Sequence, residues 1–86
     1  MNTQSETVDH EVARLAWRCR RGMRELDLLM SGYLRRCYHV ACSADQSAFR
    51  SLLKLSDPEL IALLLGRTHV CDVPTIRVLE QINNAA

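Results

Sequence analysis

Apolar residues recur along this chain at intervals of three and four positions, block after block, and nowhere alternate with polar ones over the length of a strand. Val12, Leu15, Ala16 and Cys19 follow this spacing behind Asp9, which is suited to cap a first helix, and Gly22 offers that helix a left-handed stop. Leu26, Leu29, Met30, Tyr33, Leu34 and Cys37 continue the rule in a longer second helix, which Ser31 and Gly32 are expected to weaken and kink. After His39 to Cys42, the pattern Ser43-x-x-Gln46 reads as a capping box ahead of a third apolar face, Ala48, Phe49, Leu52 and Leu53. Ser56-Asp57-Pro58-Glu59 is a strong helix start, with a capping hydroxyl, a proline tolerated in the first turn and an acid facing the positive end of the helix dipole. The fourth helix is expected to run to about Leu65 and stop at Gly66. Being apolar nearly all round, it is expected to be the central, most buried element. Asp72 and Pro74 open a last helix that turns Ile76, Leu79 and Ile82 inward and ends at Asn83 and Asn84. The pattern predicts an all-α fold, a small five-helix bundle in a single domain over residues 1–86, with 1–8 as a flexible N-terminal segment.

Length sharpens this picture. With 86 residues, 48% of them apolar, there is room for one small core and none for a second domain or a deep enclosed site. The longest apolar run, Leu60 to Leu65, is far short of the roughly 20 residues of a membrane span. The opening MNTQSETVDHE is polar and acidic and resembles neither an export nor a transit signal, so a cytoplasmic protein is expected. On the same ground the four cysteines read as reduced thiols.

Cys37-x-His39-x-x-Cys42 with His69-x-Cys71 offers zinc ligands on paper. The spacings are not those of a zinc knuckle, and Cys37 falls on the apolar stripe of the second helix, so no metal site is expected. His10, beside acids, is expected in solvent. No cysteine is accompanied by a histidine in a recognised catalytic arrangement, and no enzyme is expected.

The unusual feature is charge placement. The net charge is only +1, yet Arg14, Arg18, Arg20, Arg21, Arg24, Arg35 and Arg36 crowd the first half of the chain. The densest stretch, Trp17 to Asp27, spans the corner between the first two helices. Local structure accounts for part of it: Arg20 and Arg21 suit the negative end of helix one, Gly22 makes the turn, and Glu25 caps the amides of helix two. Capping does not require four arginines and an indole at one corner. Guanidinium groups interleaved with acids present directional donors and acceptors to a partner's carboxylates and backbone, and a glycine lets that backbone come close.

The run Trp17-x-Cys19-Arg20-Arg21-Gly22-Met23-x-Glu25-Leu26-Asp27 closely resembles the signature of the succinate dehydrogenase flavinylation factors, the SdhE or YgfY family. The resemblance continues without an evident gap through Phe49-x-x-Leu52-Leu53 and Asp57-Pro58-x-Leu60 to the last helix. It implies a five-helix assembly factor that docks on the flavoprotein subunit of succinate dehydrogenase, and often of fumarate reductase, and promotes covalent attachment of FAD to a histidine there. FAD then belongs to the partner, and no cofactor is bound stably by this chain. The family's Arg-Gly-x-x-Glu core maps onto Arg21, Gly22 and Glu25, the expected partner contacts; Arg20, Arg24, Asp27 and Trp17 lie around them as rim or support. Many members carry acids near the end of helix two, where this chain has Arg35 and Arg36, and an aromatic where it has Leu63. The reversed charge bears on which flavoprotein is recognised.

The alternative class is an antitoxin-like or other helical regulator that uses the arginine corner on nucleic acid or protein. Glu25 and Asp27 would repel a phosphate backbone within the same patch, and nucleic acid is not an expected partner.

Overall fold

Five α-helices and one 3-10 turn make up the described part of the chain: α1 (Thr3–Arg18), α2 (Arg24–Arg36), the 3-10 turn Tyr38–Val40, α3 (Ser43–Leu52), α4 (Asp57–Leu64) and α5 (Val73–Asn84). The computed structural model describes residues 3–84, with side chains from His10 onward. Among these residues there is no strand, and no helix is long and apolar enough to cross a membrane. The all-α, five-helix reading holds.

One core unites the elements. Met30 and Tyr33 from α2, Phe49 from α3, Leu60 from α4, and Val78 and Ile82 from α5 are almost wholly buried. Phe49 is its hub, with its ring centroid 4.6 Å from that of Tyr33 and 5.7 Å from that of Tyr38, both in tilted arrangements that favour aromatic quadrupoles. Tyr38 keeps its hydroxyl at the core edge, donating to Glu11 Oε1 at 2.9 Å and accepting from Arg50 Nη1 at 2.7 Å. That trio ties α1 and α3 to the 3-10 turn. A second tie joins α5 to α3: Arg77 reaches Asp45 at 2.8 Å, and its guanidinium holds the Asp45 carboxyl below the usual carboxylate range.

Several local expectations change. The first helix starts at Thr3 and not behind Asp9; the Asp9 side chain and the expected flexible segment 1–8 lie outside the residues whose side chains are described. It ends at Arg18, before Gly22, because Cys19 is drawn into the core and residues 19–23 form a separate connector. Helix α2 runs unbroken through Ser31, whose hydroxyl donates to the Asp27 carbonyl one turn back at 2.6 Å. The Ser43 capping box does not form. The N-cap of α3 is Cys42, without a side-chain bond, and Gln46 instead donates to the Tyr38 carbonyl of the 3-10 turn at 2.7 Å.

The start of α4 is as read. Ser56 Oγ accepts from the Glu59 amide while Glu59 returns a bond to the Ser56 amide, with Pro58 in the first turn. Its end closes on Gly66 at φ 73°: the Gly66 amide donates to Leu63 O and the Arg67 amide to Ala62 O, the paired bonds of a Schellman stop. At the head of α5, Asp72 accepts from both the amide and the hydroxyl of Thr75. The position of α4 differs from expectation. Only Leu60 is buried; Ile61, Leu63 and Leu64 are half-buried and Leu65 is exposed. The eight residues of α4 make a rod only about 12 Å long, and the space between α2, α3 and α5 is already filled by Phe49, Met30, Val78 and Ile82. Apolarity all round permitted central burial without requiring it.

Candidate functional site

The corner between α1 and α2 is built by a connector that is tied at one end and open at the other. Cys19 anchors it: its side chain is buried, and burial pushes its thiol up to about 11. Gly22 follows at φ 83°, a left-handed conformation that glycine adopts without strain, and apart from Gly22 and its two chain neighbours no residue comes within 4 Å of where its Cβ would stand. The turn is open to solvent at this point, so a partner's backbone can approach it. Met23 then takes the N-cap position of α2 without a side-chain cap.

Arg21 is expected from sequence to touch a partner, but its guanidinium turns inward. Its side chain is 10% exposed; Nε donates to Asp57 Oδ1 at 2.6 Å, Nη1 to the Leu53 carbonyl at 3.0 Å, and Nη2 to the Leu55 carbonyl. Leu53 is the C-cap of α3, so one side chain satisfies carbonyls left free at the end of α3 and neutralises the first residue of α4. The backbone is held as well, with the Arg21 amide donating to Asp27 Oδ1 at 2.6 Å. Asp27, half-buried, thereby fixes the connector. Glu25 lies in the first turn of α2, exposed, with no capping bond.

Around this frame the exposed groups converge. Trp17 is 71% exposed, and the Arg20 guanidinium lies 5.3 Å from its ring centroid in a cation–π contact. Arg24 and Glu25 open α2, and Leu28, one turn after Arg24 on the same face, is also exposed. Met23 is exposed between them. An indole, a thioether and arginines around an open glycine turn are the residue types enriched at protein interfaces, and Leu28 adds apolar area beside them.

Of the residues named from sequence, Trp17, Arg20, Gly22, Arg24 and Glu25 are thus outward, and Arg21 and Asp27 hold the shape beneath them. Three further participants join them: Asp57, a helix start by its sequence; Met23, uncharged but inside the signature run; and Leu28, marked in the sequence only by its departure from the apolar stripe of α2. The candidate zinc ligands are not brought together: among the described residues no three His, Cys, Asp or Glu side chains are placed to hold a metal ion, and Cys37, Cys42 and Cys71 are free thiols like Cys19.

Comparison with known proteins agrees with the signature at this corner. Residues 13–86 match the family described as flavinator of succinate dehydrogenase. The FAD assembly factor SdhE of Aliivibrio fischeri is 43% identical over 72 residues, 84% of each chain. That of Colwellia psychrerythraea is 40% identical over 70 residues, 81% of this chain and 76% of its own. That of Shewanella oneidensis is 38% identical over 76 residues, 87% and 92%. No solved structure matches the chain. The connector, the corner it shapes and all four helices after it fall inside the matched residues, and the chain belongs to the family of succinate dehydrogenase flavinators.

Proposed function

We propose that this chain is an assembly factor that binds the flavoprotein subunit of succinate dehydrogenase, and also that of fumarate reductase, and promotes covalent attachment of FAD without itself making or breaking a bond. The observation that carries the reading is the family match over residues 13–86, whose signature stretch lies at a corner that presents Trp17, Arg20, Arg24 and Glu25 to solvent. FAD is assigned to the partner, in keeping with relatives named as FAD assembly factors. The protein works in the cytoplasm, where the flavoprotein is assembled.

When bound in the partner, the flavin ring supplies the electrophile and a histidine of the flavoprotein the nucleophile. The helper need only favour the partner conformation that holds the two in reach, and binding shifts that population only through tighter contact with that conformation than with others. Glu25 accepts hydrogen bonds from the partner, Arg20 and Arg24 donate charge-assisted bonds to it, Trp17 supplies contact area, and Gly22 allows backbone approach. Arg21 and Asp27 position these groups without meeting the partner.

The test is reconstitution. Purified flavoprotein subunit and FAD are incubated with wild-type chain or Glu25→Ala, and covalent flavin is read as fluorescence that survives denaturation. Faster attachment with wild type and loss of that gain in the variant are expected. If wild type gives no gain, the function is refuted; if the variant performs as well, the site is.

A further inference from the structure

Beside the corner, α1 and α3 enclose an open groove of about 370 Å³ lined by Glu11, Arg14, Leu15, Trp17, Arg18 and Arg50. We propose that this groove is a second docking surface, shaped for an acidic segment of the flavoprotein partner in which an apolar side chain is flanked by two carboxylates. The proposal rests on the assembly-factor reading and names the partner chemistry beyond the signature corner.

Three guanidinium groups line the groove against one carboxylate, and that carboxylate is engaged. Glu11 accepts from the Tyr38 hydroxyl at 2.9 Å and lies 3.5 Å from Arg50, which is itself held by the Tyr38 oxygen at 2.7 Å. Arg50 is therefore a fixed wall. Arg14 and Arg18 are exposed, and neither has a hydrogen-bond or ion-pair partner among the described residues. They stand four positions apart on one face of α1, an arrangement of like charges that weakens a helix and that the fold does not compensate. Four residues of helix rise about 6 Å, so a segment carrying two carboxylates at a similar separation, on either side of an apolar side chain, would meet both.

Between the charges the groove is apolar. Leu15, buried in the core, forms its floor and the exposed Trp17 its rim, which suits a leucine or similar side chain between the two acids. A nucleic acid fits less well. The groove spans about two turns of α1, from Glu11 to Arg18, includes a carboxylate, and belongs to a chain of net charge +1, whereas tracking a phosphate backbone calls for an extended excess of cations.

The probe is a fluorescein-labelled peptide of sequence Glu-Asp-Leu-Glu-Asp, titrated with the full chain at low salt and followed by anisotropy, with Trp17, the sole tryptophan, as an intrinsic reporter. Saturable binding is expected, at least about tenfold weaker in Arg14→Glu/Arg18→Glu and in the milder Arg14→Gln/Arg18→Gln, and weakened by added salt. The Gln-Asn-Leu-Gln-Asn peptide should not bind. Circular dichroism and urea midpoints confirm that the variants fold. The proposal is overturned if the acidic peptide does not bind, if the folded variants bind it as wild type does, if random duplex DNA binds more tightly than the peptide, or if sedimentation shows the groove closed by a second copy of the chain. A parallel titration with purified flavoprotein subunit separates the two readings. Failure of wild type there refutes the assembly-factor role, while undiminished binding by the two double variants refutes the groove alone.

Discussion

Arg21 at the bend between α1 and α2 forms a 2.6 Å ion pair with Asp57, the first residue of α4, across 36 positions of chain. The Leu53 and Leu55 carbonyls take two further donors of the same guanidinium. A single side chain thereby fastens the exposed corner to the junction of α3 and α4, and Asp57 acts on the proposed partner surface without being part of it.

Arg21→Ala leaves two carbonyls and a carboxylate without their donor, and is expected to lower unfolding stability by about 2 to 4 kcal/mol. Asp57→Asn should remove only about 1 kcal/mol, since that carboxylate is a third exposed and partly hydrated. Arg21→Lys should resemble alanine more than wild type, because an ammonium cannot serve three acceptors in the fork geometry. Urea denaturation measures all three; a wild-type midpoint for Arg21→Ala would show that the inward contacts do not hold the fold.

Gly22→Ala meets no steric obstacle, since the space at its Cβ position is open. The residue would still sit at φ 83°, so the variant should lose about 1 to 2 kcal/mol from backbone strain alone. Binding to the flavoprotein should fall by more than this loss explains if a partner backbone packs against the turn. Thermal unfolding and a binding titration on the same preparation separate the two effects.

The two serine caps suggested by the sequence should behave oppositely. Ser56→Ala breaks a formed capping box and should cost about 1 kcal/mol. Ser43→Ala touches no cap, because Cys42 occupies that position, and should change stability by at most a few tenths of a kcal/mol. Equal losses in denaturant midpoint would contradict the assignment.

Burial raises the Cys19 thiol from 9.0 to about 11 and the Tyr33 phenol from 10.0 to about 12. In each case the fold favours the protonated form, so the unfolded chain releases its proton first as pH rises. The stability tied to these groups is complete below pH 9.0 and declines as pH climbs through 11 and 12. Denaturant midpoints taken on both sides of pH 9.0 should fall on the alkaline side, and Cys19→Ala should flatten the earlier part of that fall.

How much of this was legible beforehand differs by kind of feature. Features set by near neighbours in sequence were readable: the Ser56–Glu59 start, the Gly66 stop, and the helical spacing that put Tyr33, Phe49 and Ile82 in the core. Features set by distant residues were not. Gln46 has the spacing of a capping partner but is claimed by a carbonyl eight positions back in another element. Arg21 looks like a surface cation until Asp57 and two carbonyls from a distant junction surround it. The outward part of the corner was legible as a motif, while its inward fastening is a property of three-dimensional packing that local pattern does not encode.

Helix α4 has eight residues and a single fully buried side chain, Leu60. It is thus the segment whose amides should exchange with solvent deuterium through partial opening while α2, α3 and α5 stay closed. Each such excursion carries Asp57 away from Arg21. The rigidity of the surface around Gly22 is therefore governed by the breathing of a short helix that begins 35 residues further along the chain, and tightening that helix would stiffen the corner from behind.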